Sequence, residues 1–362
     1  MRWARPQKMR GAAGQAAAIA RNLPWQLTCY LENNGAVEMT VAEEMTAMAL
    51  RLHQQGQPVA LATVMATWGS APRPVGAQML ICADGSFHGS VSGGCVEGAV
   101  VLEALEALEA GQCRRLRYGV ADADAFAVGL ACGGEIELVV EPVGQGQGVD
   151  PAMLECLVEA QSARQPIAVR LDLSSWQREL ILAQTDLAVF EAGGGLAGDV
   201  FTYVQTVPLR LVIIGAVHIA QYLTPMAQMA GYLVTIIDPR DSFASPARFD
   251  GHEVIVDWPE EALARLALDG RTAFVTLTHD PKMDTPALQH AVASDAFYIG
   301  ALGSTRTHAK RRQSMLELGV SAAQFARIQG PVGLDIGSRT PAEIALSILA
   351  AMTAKLRGRA HG

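Results

Sequence analysis

The chain has 362 residues, 50% of them hydrophobic and 18% charged, a globular composition long enough for two or three domains. Its formal charge is −8 at pH 7 with no basic stripe, which makes it a poor candidate for nucleic-acid binding. Six dispersed cysteines with no Cys-x-x-Cys pair exclude a disulfide framework and a zinc ribbon, and make a reducing cytoplasm the expected location.

Residues 1–38 carry a basic head, with Arg2, Arg5, Lys8, Arg10 and Arg21 set against few acids. Their Ala/Gly-rich middle is too weakly apolar for a signal peptide, so a disordered extension is expected. Thr40 and Glu43 then form a T-x-x-E capping box, and Val41, Met45, Met48 and Leu52 mark one apolar helix face. The β-rich run 58–68 follows, then a Pro/Gly loop at 69–77 and a strand–turn–strand pattern over 78–92 with a D-G turn. A helix is predicted over roughly 95–110, closed by Gly111. Strands are expected at "CRRLRYG" and "EIELVVEPV", and 144–150, "GQGQGVD", reads as an internal linker. A helix and short strands at 151–207 are expected to complete the sheet of the first domain.

From Leu209 the pattern becomes strand–helix alternation, with strands predicted at 210–214, 233–237, 253–256, 272–277 and 296–300. The stretch from Leu211 to Ile237 lacks Asp, Glu, Lys and Arg and is long enough to span a bilayer. Gly215, His218, Gln221, Pro225, Gln228 and Gly231 interrupt it, so it reads as strand, turn, helix and strand, with no membrane role. Thr340, Pro341 and Glu343 start a final helix at 340–356. The chain is thus read as α/β: an N-terminal mixed α+β domain at 39–207, then a C-terminal Rossmann-like doubly wound parallel sheet at 208–362.

Two groups of residues carry candidate chemistry. In the second half, "LRLVIIGAVHIA" resembles a dinucleotide-binding strand–turn–helix, with Gly215 for the turn, His218 at the helix start and Asp238 placed to hold ribose hydroxyls. Val217 stands where backbone must approach a pyrophosphate, which speaks against NAD(P). Loops at strand ends add Arg240, His279, Asp280, Ser304, Arg306 and Asp335, an edge suited to a phosphate-bearing ligand. In the first half, Cys95 follows Gly93 and Gly94 at a helix start, and Cys132 precedes two further glycines. Glycines let a ligand approach a sulfur, and helix amides favour a thiolate, which can bind a soft metal or carry sulfur. Cys95 and Cys132 are therefore the candidate functional thiols, and the other cysteines read as packing residues.

The motifs "GSAPRPVGAQML", "GSVSGGCVEGAV", "CGGEIELVVEP", "IDPRDSFA", "THDPKMD", "YIGALGS" and "GPVGLDIGSRTPAEIALSILA" together resemble the XdhC/CoxI family of xanthine dehydrogenase accessory proteins, over about residues 40–357. The resemblance implies a cytoplasmic maturation factor, more a chaperone than an enzyme. It implies binding of molybdenum cofactor, as molybdopterin or a nucleotide form, with Cys95 as a molybdenum contact, and its delivery to an apo molybdenum hydroxylase. It also implies work with a cysteine desulfurase, in a homo-oligomer without nucleic-acid or membrane partners. Two other classes stay open: an NAD(P)-dependent oxidoreductase, and a thiol sulfur carrier using Cys95.

Overall fold

A computed structural model describes residues 45–69, 73–119, 134–183 and 194–358. The basic head, the Thr40–Glu43 capping box and Cys132 lie outside the described residues. The chain divides into two compact units at Val207/Pro208. Among the described residues no helix is long and apolar enough to cross a membrane.

The first unit opens with α1 (Met45–Gln54) and β1 (Val59–Trp68). β1 is apolar along most of its length because it is covered on both faces. It pairs antiparallel with β2 (Gln78–Cys82) on one side and β5 (Glu135–Pro142) on the other. With β3 (Phe87–Gly89) and β4 (Arg114–Tyr118) these form a five-stranded sheet of order β3-β2-β1-β5-β4. Ala60, Ala62 and Val64 point to α2 (Glu97–Ala110), whose Val100, Ala104, Ala107 and Leu108 make the buried stripe that a 3.6-residue period requires. Gly111 ends α2 in the left-handed conformation, φ 62°, with its N–H on the Ala107 carbonyl.

Residues 151–207 do not extend this sheet. They form α3 (Pro151–Ser162) and a second antiparallel sheet of order β7-β6-β9-β8, from β6 (Ile167–Asp172), β7 (Arg178–Leu182), β8 (Gly195–Ala197) and β9 (Val200–Gln205). α1 and α3 pack on Val59 and Leu61 of β1, and Leu171 and Phe201 meet Met65 and Val139, so this layer covers the face that α2 leaves open. β6 uses both its edges on β7 and β9, so this strand cannot pair with the first sheet. The expected linker 144–150 is a packed turn: Gly144 donates to the Val149 carbonyl and Gln147 to the Gly111 carbonyl. A Cβ at Gly146 would lie 1.9 Å from the Gly111 oxygen, so its glycine content serves close packing and not flexibility.

The second unit is a six-stranded parallel sheet. Its strands are β10 (Leu209–Ile214), β11 (Tyr232–Ile237), β12 (Glu253–Ile255), β13 (Thr272–Thr276), β14 (Tyr298–Ala301) and β15 (Ile328–Gln329), in the order β12-β11-β10-β13-β14-β15. Counted from its own first strand this is 3-2-1-4-5-6, the doubly wound order whose direction reverses between β10 and β13. Successive residues of β10 serve opposite faces. Leu211 and Ile213 face α4 (His218–Met229) and α9 (Pro341–Leu356). Val212 and Ile214 face the layer of α5 (Pro259–Ala264), α6 (Pro281–Ala293), α7 (Thr305–Glu317) and α8 (Ala322–Phe325). The uncharged run 211–237 is therefore a buried strand–helix–strand unit. α9 starts with the capping box read from the sequence, Thr340 accepting from the Glu343 N–H and Glu343 reaching back.

Candidate functional site

The loop 90–96 leaves β3 and enters α2. Gly93 and Gly94 sit at φ 80° and 115°, a region L side chains rarely adopt. Among the described residues, a Cβ added at Gly94 would meet nothing within 4 Å. Arg73, from the Pro/Gly loop after β1, donates to the Ser90 carbonyl at 3.2 Å and brings the two sequence motifs together.

Cys95 is not the first helical residue. Val96 is the N-cap of α2 and has no capping side chain of its own. The Ser92 hydroxyl does that work, accepting the N–H groups of Cys95 and Val96 at 3.0 Å each. Cys95 is half-buried, its inner side against the α2 core. Among the described cysteines the other three, Cys82, Cys113 and Cys156, are buried. Burial pushes the Cys113 thiol up to about 11 and raises that of Cys156, which keeps both protonated.

The amides expected to face an incoming anion are already taken. Glu97, 5% exposed, turns its carboxylate back over the loop. Oε1 accepts from the backbone of Val91 at 3.2 Å, Ser92 at 2.9 Å and Gly93 at 3.1 Å, and Oε2 from Gly94 at 2.9 Å. The Ser90 and Ser92 hydroxyls donate to it at 2.6 and 2.5 Å. Burial opposes its ionisation, but these hydrogen bonds outweigh burial and hold the carboxyl at about 2. Sequence reasoning missed Glu97. The available signal was an acid at the first helical position behind a Ser/Gly-dense loop.

In the second unit, the parallel strands bring their following loops to one edge. Gly215 ends β10 at φ 105°, and any Cβ there would lie 2.4 Å from the Thr278 Cγ2 after β13. Val217 caps α4 in an extended conformation and packs on the core. His218 is exposed, its ring 5.3 Å from that of Tyr222.

Asp238 lies at the end of β11, as expected, but its carboxylate is fully buried. It accepts from the Ala216 N–H at 2.8 Å and from Arg240 through the backbone at 3.0 Å, Nε at 2.8 Å and Nη2 at 2.7 Å. Burial works against its charge, and the Arg240 and Ala216 bonds win, holding its carboxyl below the ordinary range. The guanidinium lies 3.8 Å above the Phe243 ring. A ribose hydroxyl would have to displace Arg240 to reach this acid.

His279 is exposed, in the left-handed region at φ 62°. Asp280 is exposed and caps α6 through the Lys282 N–H. Asp284, one turn on, is buried, accepts from the Thr278 hydroxyl at 2.6 Å and lies 3.8 Å from Arg311. Ser304 caps α7 by accepting the Thr307 N–H, while Arg306 and Asp335 are exposed. The topology thus gathers Gly215, His218, Asp238, Arg240, His279, Asp280, Ser304, Arg306 and Asp335 at the carboxyl edge of one sheet. Gly93, Gly94 and Cys95 belong to the first unit. Among the described residues no three His, Cys, Asp or Glu side chains converge as a metal site.

A doubly wound C-terminal unit behind an α+β unit with a thiol-bearing Gly-Gly-Cys loop defines a distinct class of two-part protein. Family profiles match both parts: "XdhC and CoxI family" over residues 52–119 and "XdhC Rossmann domain" over 211–352. The chain is 33% identical over 302 residues to the molybdenum cofactor insertion chaperone PaoD of Escherichia coli K12, covering 83% of this chain and 85% of that one. It is 25% identical to a probable xanthine dehydrogenase subunit of Bacillus subtilis 168, over 84% of this chain and 95% of that one. A crystal structure from Bacillus halodurans, described as a xanthine dehydrogenase, superposes with a TM-score of 0.71 at 25% identity, covering 88% of this chain and 97% of that one. The protein belongs to the XdhC/CoxI family.

Proposed function

We propose that this protein binds molybdenum cofactor as cargo and assists its insertion into a dedicated molybdenum hydroxylase of the xanthine dehydrogenase or aldehyde oxidoreductase type. The observation that carries the reading is the half-exposed Cys95 thiol, which follows two glycines on a loop whose amides are hydrogen-bonded from within by Glu97. The relationship to PaoD, a molybdenum cofactor insertion chaperone by name, supports the same conclusion. The donor set fits such cargo. The pterin dithiolene already holds the metal, so the protein has no need of a multidentate side-chain cage, and one soft sulfur is a suitable further partner. The exposed Arg306 and His279 on the C-terminal edge suit a phosphate.

Sulfuration of the metal with a cysteine desulfurase, a cytoplasmic setting and a homo-oligomeric assembly belong to this proposal. It gives the protein no robust turnover of its own. The test is genetic. In a strain lacking the gene, the client hydroxylase should fold to normal amounts but hold little active cofactor. A client with full molybdenum content and full activity from that strain would refute the proposal.

A further inference from the structure

We infer that Glu97 is a positioning residue: its carboxylate is a built-in anion that closes the loop 90–96 around itself and thereby fixes the place of the Cys95 sulfur. The inference rests on reading Cys95 as the cofactor contact, and it assigns a role to a residue outside that contact.

Four consecutive backbone N–H groups, Val91 to Gly94, turn inward to the two oxygens of Glu97. Successive amides converging in this way form a concavity of the kind that binds free anions. Here the anion is covalently part of the chain, so the loop needs no ligand to be ordered. Gly93 and Gly94 make the convergence sterically possible, since both have positive φ.

The link to the sulfur is directional. The Ser92 hydroxyl donates its one proton to Glu97 Oε2, which leaves its lone pairs to accept the N–H groups of Cys95 and Val96. Glu97 thus sets the rotor of Ser92, and Ser92 sets the backbone of Cys95. A neutral amide of the same size cannot do this. Glutamine would turn an NH2 toward one set of donors, either Ser92 Oγ and Gly94 N–H or the group around Oε1. Hydrogen bonds to a charged acceptor are also worth more than those to a neutral one.

Replacing Glu97 by alanine should leave a vacant anion site, which gives a specific test. The full chain is prepared as wild type, Glu97→Ala and Glu97→Gln. Amide hydrogen exchange is followed on peptides covering 90–96, and iodoacetamide labelling of Cys95 by peptide mapping. In Glu97→Ala the loop amides should exchange roughly tenfold faster or more, because a local opening no longer breaks charged hydrogen bonds. Cys95 labelling should accelerate severalfold as its inner side leaves the core. Added formate should restore both toward wild type, and formamide, equal in size but neutral, should not. Glu97→Gln should behave as unrescued Glu97→Ala, which keeps the test alive if the alanine variant folds poorly.

Unchanged exchange and labelling in both variants would overturn the inference, and so would equal rescue by formamide. Molybdopterin content is read in the same preparations, beside Cys95→Ser. Full cofactor in Cys95→Ser, with a loop that loosens and is rescued as described, would defeat the reading of Cys95 while upholding the role of Glu97 on the loop.

Discussion

Asp238 and Glu97 are both buried carboxylates that collect backbone amides, and the two were unequally visible in the sequence. The position of Asp238, at the end of the second strand of the unit, followed from the strand pattern. Its occupation by Arg240 did not, because an arginine two residues on that folds back over its own loop leaves no spacing signature. Glu97 was hidden for a different reason. An acid in the first turn of a helix is the ordinary complement of the helix dipole and draws no attention. Its real partners lie three to seven residues upstream and converge only because Gly93 and Gly94 reverse the backbone. The consequence is measurable. Glu97 has its folded pKa depressed from 4.5 to about 2, so its contribution to the loop is complete above about pH 4.5 and fades as pH falls through about 2. Amides 91–94 should therefore stay protected at pH 4, after correction for intrinsic exchange rates. Loss of that protection with a midpoint near 4.5 would show that the carboxylate is not held as described.

At the scale of elements, the parallel sheet of the second unit was the most legible part. Buried parallel strands read as short apolar runs, and α9 carries its capping box in plain sequence. Thr340→Ala should cost about 1 kcal/mol, read as a lowered melting temperature with the cofactor content unchanged. The second sheet of the first unit was not legible. β6 and β7 mix apolar residues with Arg170, Arg178 and Glu179, and β6 pairs with β9 across about thirty residues, so local pattern could not show that they form a sheet of their own. The doubly wound order invites a nucleotide between β10 and β13, and two residues at that turn lead us to expect weak binding of NAD(P). Val217 stands where the dinucleotide fingerprint has its second glycine, and Asp238 is already bonded to Ala216 and Arg240. Calorimetric titration with oxidised and reduced NAD and NADP should give binding weaker than micromolar, that is, less than about 8 kcal/mol. Val217→Gly should improve it if it changes it at all. Micromolar binding by the unaltered chain would revive the oxidoreductase reading.

For the whole molecule, the two units carry different groups: a half-buried thiol on a Gly-Gly-Cys loop in the first, and exposed Arg306, His279, Asp280 and Asp335 along a strand edge in the second. The central claim is that Cys95 holds the cargo. Its direct test is the molybdopterin content of the full chain purified from cells making molybdenum cofactor, for wild type, Cys95→Ser and Cys82→Ser, each beside its melting temperature. Cys82 is buried and serves as the packing control. The account predicts bound molybdopterin in wild type and Cys82→Ser, and a loss of most of it in Cys95→Ser at an unchanged melting temperature. Cys95→Ser that retains the full wild-type content would contradict it.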